Sequence, residues 1–118
     1  MPKFCLFFID DTSTHDRQPT PAELKVYEEI GAWFEEHGRS GEIVGGEELK
    51  GPRTARTVRF KGGTPVVHDG PFMEAKEIIG GYAIVEVPTF DAAVALASTW
   101  PAKSVVEIRP LVEHEESH

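Results

Sequence analysis

The alternation of apolar and polar positions divides the chain into strands, two helices and a hairpin. Phe4 to Ile9 is almost wholly apolar and rich in aromatics, the pattern of a buried strand. Asp10 to Pro19 is polar and breaker-rich, hence a loop, and His15 within it reads as a solvated residue. Thr20-Pro21-Ala22-Glu23 opens a helix: Thr20 can cap, Pro21 suits the first helical position, and Glu23 completes a capping box. Val26, Ile30 and Trp33 recur at helical spacing, as do Leu24, Tyr27 and Phe34, giving one wide apolar face. Gly38 is the expected stop, with His37 and Arg39 favourable at the negative end of the helix dipole.

The second half of the chain is richer in strands. Glu42 to Leu49 reads as an irregular strand, bulged at Gly45-Gly46, and Gly51-Pro52 as a turn. Ala55 to Lys61 alternates, with Arg56, Val58 and Phe60 on one side and Thr57 and Arg59 on the other. Gly62-Gly63 signals a tight hairpin, and Thr64 to His68 returns as the partner strand. Asp69-Gly70-Pro71-Phe72 then forms a sharp corner, since Pro71 disfavours helical angles at Gly70 and Gly70 tolerates the rest. Ile78 to Val87 is the longest strand candidate, with Tyr82, Ile84 and Glu86 facing one way and Ala83, Val85 and Val87 the other. Gly80-Gly81 should bend its start or admit a neighbouring backbone. Thr89 caps a second helix over Phe90 to Thr99 that buries Phe90, Val94 and Ala97 or their neighbours, and Trp100-Pro101 closes it. Ser104 to Leu111 is a last strand with Val106 and Ile108 inward, before a charged tail from Glu113.

The order is β-α-β, a hairpin, then β-α-β. Two amphipathic helices between strands predict an α+β, ferredoxin-like split βαβ sheet with both helices on one face. Residues 1–112 form the expected single domain, and 113–118 the tail. The opposite sheet face, carrying Tyr82 and Ile84, would be wet in a monomer, so a homodimer joined through that face is expected.

Composition narrows the function. The 118 residues are 40% hydrophobic, enough for one core. No apolar run reaches membrane-spanning length, and the start is too short and too soon acidic for a secretion signal, so a cytoplasmic protein is expected. Cys5 is the single cysteine and fits a reducing compartment; inside a strand it reads as a small buried hydrophobe. The net charge of −8, with no basic cluster seen to offset it, argues against nucleic-acid binding. No thiolate cluster, phosphate loop or nucleophile elbow is present, and His114 with His118 reads as a solvated tail, so no cofactor or metal is expected.

At the corner the sequence resembles the YCII-related family, and within it the subgroup named for an Asp-Gly-Pro-Phe motif. The resemblance rests on Thr57-Val58-Arg59, Asp69-Gly70-Pro71-Phe72, Glu74, Lys76-Glu77, Gly80-Gly81-Tyr82 and Glu107-Ile108-Arg109-Pro110, and runs from Phe4 to about Pro110. It implies a ferredoxin-like α+β fold that dimerises as an α/β barrel. Some relatives are linked to dehalogenation-type chemistry with a His-Asp pair, and subgroup members are associated with extracytoplasmic-function sigma factors. His68 departs from the motif, which usually carries a small polar residue there; neighbours on a strand point to opposite faces, so His68 and Asp69 are not a preset pair.

Asp69 is the candidate catalytic residue, a general base if partly buried, or else the acceptor that holds its own turn. Arg59 and Arg109 are candidate anion binders, because a guanidinium can bond both carboxylate oxygens; the alternative pairs them with Glu74, Glu77 or Glu107. Phe72 and Tyr82 would stack on or donate to a ligand, or pack at the dimer face. The expected function is cofactor-free binding or acid–base chemistry on a small anionic or aromatic molecule in a dimer cleft. The alternative is a non-catalytic module regulating a sigma factor.

Overall fold

The computed structural model describes residues 1–14 and 17–114. The expectations for His15 and for the His114/His118 spacing thus fall wholly or partly outside the described residues. The chain forms β1 (Lys3–Asp11), α1 (Pro21–Arg39), β2 (Ile43–Glu48), β3 (Arg56–Lys61), β4 (Thr64–Asp69), β5 (Glu77–Glu86), α2 (Phe90–Ala97) and β6 (Val106–Pro110). β2, β5, β1 and β6 make one sheet in that order, each neighbouring pair antiparallel, and β3 and β4 form a separate two-stranded antiparallel ribbon. With the β3–β4 ribbon set aside, this is the ferredoxin-like order: each helix carries the chain across one strand, α1 over the place that β5 later fills and α2 over β1 already in position.

Both helices cover the face carrying Phe4, Leu6 and Phe8 of β1 and Ala83 and Val85 of β5. The Phe8 ring stacks on Trp100 at 4.0 Å, and Trp33 of α1 meets Trp100 edge-on at 5.2 Å. The indole nitrogens are satisfied: Trp33 Nε1 donates to Thr99 Oγ1 at 2.8 Å and Trp100 Nε1 to Ser104 Oγ at 3.2 Å. An amphipathic ring can be buried at little cost when its one polar hydrogen finds a partner.

The capping box on α1 forms as the sequence implies. Glu23 N–H donates to Thr20 Oγ1, and Thr20 N–H donates to the Glu23 carboxylate. Arg17 grips that carboxylate with both guanidinium nitrogens, at 2.8 and 2.9 Å. These bonds favour the ionised form and hold Glu23 down at a pKa of about 2. The helix passes through Gly38, ends at Arg39 and is capped by Ser40. At that end His37 Nδ1 lies 2.7 Å from Glu42 Oε1, so His37 is anchored to the following loop as well as to the dipole.

Two faces differ from expectation. α2 is shorter than predicted and buries Ala93, Leu96 and Ala97, while Phe90 and Val94 are exposed. Small alanines let the helix sit close to the sheet, so the bulky residues are turned to its flanks, where Phe90 still meets Phe4 at 5.1 Å. On α1 only Trp33 is fully buried, with Ile30 and Phe34 packed beside the core, and Leu24 and Tyr27 face solvent.

Among the described residues, no helix covers the other sheet face. In register across it lie Ile84, Cys5 and Arg109, and in the next row Glu47, Tyr82, Phe7 and Glu107. A register shift where β1 passes from Phe8 to Ile9 opposes Gly80, as the glycine pair implied. The molecule measures 51 × 44 × 19 Å, with a radius of gyration of 16.8 Å. A compact chain of this length would have about 13–14 Å. The excess reflects a two-layer slab with a ribbon projecting from it.

Candidate functional site

The β3–β4 ribbon reverses through Gly62-Gly63, both at positive φ, and returns to the corner at Gly70. Gly70 has φ of +103°, closed to side chains with a Cβ, and this aims Pro71 and Phe72 back beneath the ribbon. Its N–H donates to Ala55 O at 2.8 Å, and Thr57 Oγ1 donates to Gly70 O at 2.8 Å. The corner is thus clamped by the start of β3.

The sequence candidates are divided between two places. Arg59 and Phe72 come together: the guanidinium carbon sits 4.7 Å from the ring centroid, and Nη2 donates to Phe72 O at 3.1 Å. Asp69 points away from them. Its side chain is 93% exposed and its Oδ1 lies 3.4 Å from Arg56 Nε, the setting of a surface ion pair. His68 pairs with Thr57 on the other face of the ribbon. Tyr82 and Arg109 belong to the main sheet, on β5 and β6, with all of β1 between them. Arg109 Nε lies 4.0 Å from Glu107 Oε2, two residues back on the same face of its own strand, an exposed pair.

Phe72 lines a groove of about 600 Å³ where the ribbon leaves the sheet. Its walls are mostly apolar: Leu49 and Pro52 on the way into β3, Ala55 at its base, Met73 after the corner, and Ile78 and Ile79 on β5. Lys50 stands among them as the cation. The size suits a small molecule. Sequence reasoning missed Leu49, Met73 and Ile79 as site residues. A faint signal was there, since Leu49 and Met73 are apolar residues stranded in polar turn segments. Only closure of the hairpin brings those segments together.

The ribbon also gathers charge. Lys50, Arg53, Arg56, Arg59 and Lys61 fall within one stretch, and no carboxylate occurs from Leu49 to His68. The expectation that no basic cluster offsets the net charge is therefore corrected: five cations are concentrated on and beside β3, with Asp69 at the end of β4 as the ribbon's own carboxylate.

Cys5 is buried on the uncovered sheet face, and burial raises its thiol pKa, with Arg109 opposing. A thiol in that state is a poor nucleophile. Among the described residues no three His, Cys, Asp or Glu side chains converge on a metal-sized site, and no helix is long and apolar enough to cross a membrane. The arrangement can hold an apolar body against Phe72 with an anionic end toward Lys50.

Residues 3–115 match the model of the family described as the YCII-related domain. An uncharacterised protein of Rhizobium meliloti (strain 1021) is 24% identical over 112 residues, spanning 92% of this chain and 90% of its own.

Proposed function

The chain belongs to the YCII-related domain family, and on that premise we propose that it is a homodimer that binds a small aromatic or apolar anion in the groove beside Phe72. The observation that carries this reading is the groove itself: apolar walls of about 600 Å³, an exposed Phe72 ring for stacking, and a lysine among the lining residues. Within the family we assign the chain to the Asp-Gly-Pro-Phe subgroup on Asp69-Gly70-Pro71-Phe72. The uncovered sheet face and the flat 19 Å profile support the dimer, because a second copy would give Phe7, Tyr82 and Ile84 a covering layer.

Binding is better supported than acid–base turnover. An effective general base at neutral pH gains from partial desolvation, and Asp69 lies in water beside Arg56. Arg59 is committed to Phe72 and serves to position the ring.

The test is a thermal-shift titration with benzoate, phenylacetate and salicylate on the wild type and on Phe72→Ala. A ligand bound only by the folded state raises the melting temperature. A rise with at least one aromatic carboxylate that Phe72→Ala abolishes is expected. No shift with any of them, or an equal shift in the variant, refutes the groove as the site.

A further inference from the structure

The β3–β4 ribbon is a two-stranded sheet with one face against its own corner at Gly70–Phe72 and the other in water. Its apolar face, Val58 and Phe60 opposite Val67 and Pro65, is exposed, and Phe60 is 70% accessible. Two strands alone are marginal in water, and an exposed apolar ribbon face invites a partner. The opposite face carries Thr57 and His68, then Arg59 opposite Val66, and Arg59 ties it to Phe72, while the Arg56–Asp69 pair bounds the apolar face at the base of the ribbon. The ribbon is therefore amphipathic, with its polar side held to its own chain and its apolar side free.

We infer that the ribbon is an arm that reaches onto a second copy of this chain, laying Phe60 and Val58 against the partner's surface and closing the groove at Phe72. This rests on the homodimer reading above and names the element that completes its interface. Area and charge select the occupant. The open sheet face leaves room for a second element in the interface, because Phe7, Tyr82 and Ile84 are already half-buried within the monomer and add limited further area. At 70%, 61% and 52% exposure, Phe60, Val67 and Val58 form one accessible apolar patch on the same face of the ribbon, and this is the area that a copy-to-copy contact would bury. Charge agrees. The stretch from Lys50 to Lys61 holds five cations and no acid, leaving seven cations against all twenty carboxylates in the rest of the chain. A basic arm meeting an acidic body is attractive in a copy-to-copy contact. The groove runs to Ile79 on β5, beside the open face, so a partner seated there would wall its solvent side.

The experiment compares wild type, Phe60→Ser and Tyr82→Arg by sedimentation equilibrium, with circular dichroism confirming the fold. Isotope-labelled and unlabelled chains are also mixed and joined with a zero-length carbodiimide reagent. Phe60→Ser should raise the dimer Kd by about tenfold or more, and Lys61 should couple to carboxylates of the other chain. A wild-type dimer with the same Kd in Phe60→Ser, or Lys61 coupling only within its own chain, overturns the arm and leaves the sheet-face dimer to the Tyr82→Arg result. A wild type that stays monomeric overturns both readings. A mixed-sequence DNA duplex is the control for the other class of occupant. Retention of DNA that Lys61→Glu abolishes, with the dimer unaffected, would assign the arm to nucleic acid and overturn the inference.

Discussion

The Arg59 guanidinium lies over the Phe72 ring at 4.7 Å and donates to the carbonyl of the same residue at 3.1 Å. Two segments thirteen residues apart are thus joined twice, once through a π face and once through a hydrogen bond. The first contact orients the ring and the second fixes the backbone that carries it. Both depend on the corner at Gly70, which turns the chain beneath the ribbon.

Arg59→Ala is expected to leave the fold intact, since an exposed cation–π contact contributes only about 0.5–1 kcal/mol. Its effect should appear in ligand affinity, because an unpinned Phe72 must be ordered on binding. Titration calorimetry with the best aromatic carboxylate should show Arg59→Ala weakened about tenfold, which corresponds to roughly 1.4 kcal/mol. Equal affinity in the variant would show that the contact does not prepare the site.

Gly46→Ala and Gly70→Ala separate two demands on glycine. At Gly46 a Cβ would lie 2.5 Å from Tyr82 O and 2.8 Å from Ala83 Cα, backbone atoms in the middle of the sheet. Gly46 also has a positive φ, +143°, so there the clash adds to backbone strain, whereas at Gly70 a Cβ meets nothing within 4 Å and the φ of +103° alone resists it. Urea unfolding should show Gly46→Ala costing about 2–4 kcal/mol and Gly70→Ala about 1–2 kcal/mol. The reverse order would mean that β2 can pull away from β5 cheaply.

Trp100→Ala removes the ring that stacks on Phe8 and meets Trp33 and Phe34. A large aromatic lost from a packed core costs about 3–5 kcal/mol. That is a large share of the roughly 5–15 kcal/mol that stabilises a domain, so the melting temperature should fall steeply or the variant should fail to accumulate. A drop comparable to that of a surface substitution would contradict the aromatic cluster as the centre of the core.

Acid should loosen the start of α1. The folded pKa of Glu23 is about 2, below its ordinary value near 4.5, because Arg17 and the Thr20 N–H favour the carboxylate. The folded state thus binds the proton less readily than the unfolded state. The stabilisation is present above pH 4.5 and is lost as the pH falls from there toward 2. Glu42, lowered by His37 and Ser40, acts in the same direction. Circular dichroism during acid titration should show a wild-type loss of stability in that window that is smaller in Glu23→Gln. Thr20→Ala should cost about 1 kcal/mol at neutral pH. Identical acid profiles for wild type and Glu23→Gln would dismiss the linkage.

Cys5 should react slowly with a thiol reagent in the native state, since its side chain is buried and burial raises its pKa. Labelling should accelerate with urea in step with unfolding. Rapid labelling in buffer would show that the uncovered sheet face opens locally around β1.

Much of the architecture could be read from local pattern. Thr20, Pro21 and Glu23 announce α1, Thr89 announces α2, and the phase of Tyr82 against Ala83 assigns the two faces of β5 correctly. These features are local, decided by a residue and its neighbours within one turn or one strand repeat, and their order on the chain implies the ferredoxin-like sheet. The faces of α2 were harder, because an alanine-rich helix offers almost the same apolar pattern in several directions.

The candidate site belonged to the tertiary structure. Alternation along β3 places Arg59 on a face but does not say that Phe72, thirteen residues on, will lie under it. Leu49 and Ile79 become one wall only because the ribbon closes between them and returns the chain to the sheet. Asp69 shows the same divide: its neighbours Gly70 and Pro71 dictate a corner, yet the side chain's surroundings, water and Arg56, depend on how that corner is set against the rest. Backbone preference acts between adjacent residues, whereas a cleft is made by surfaces that meet through space.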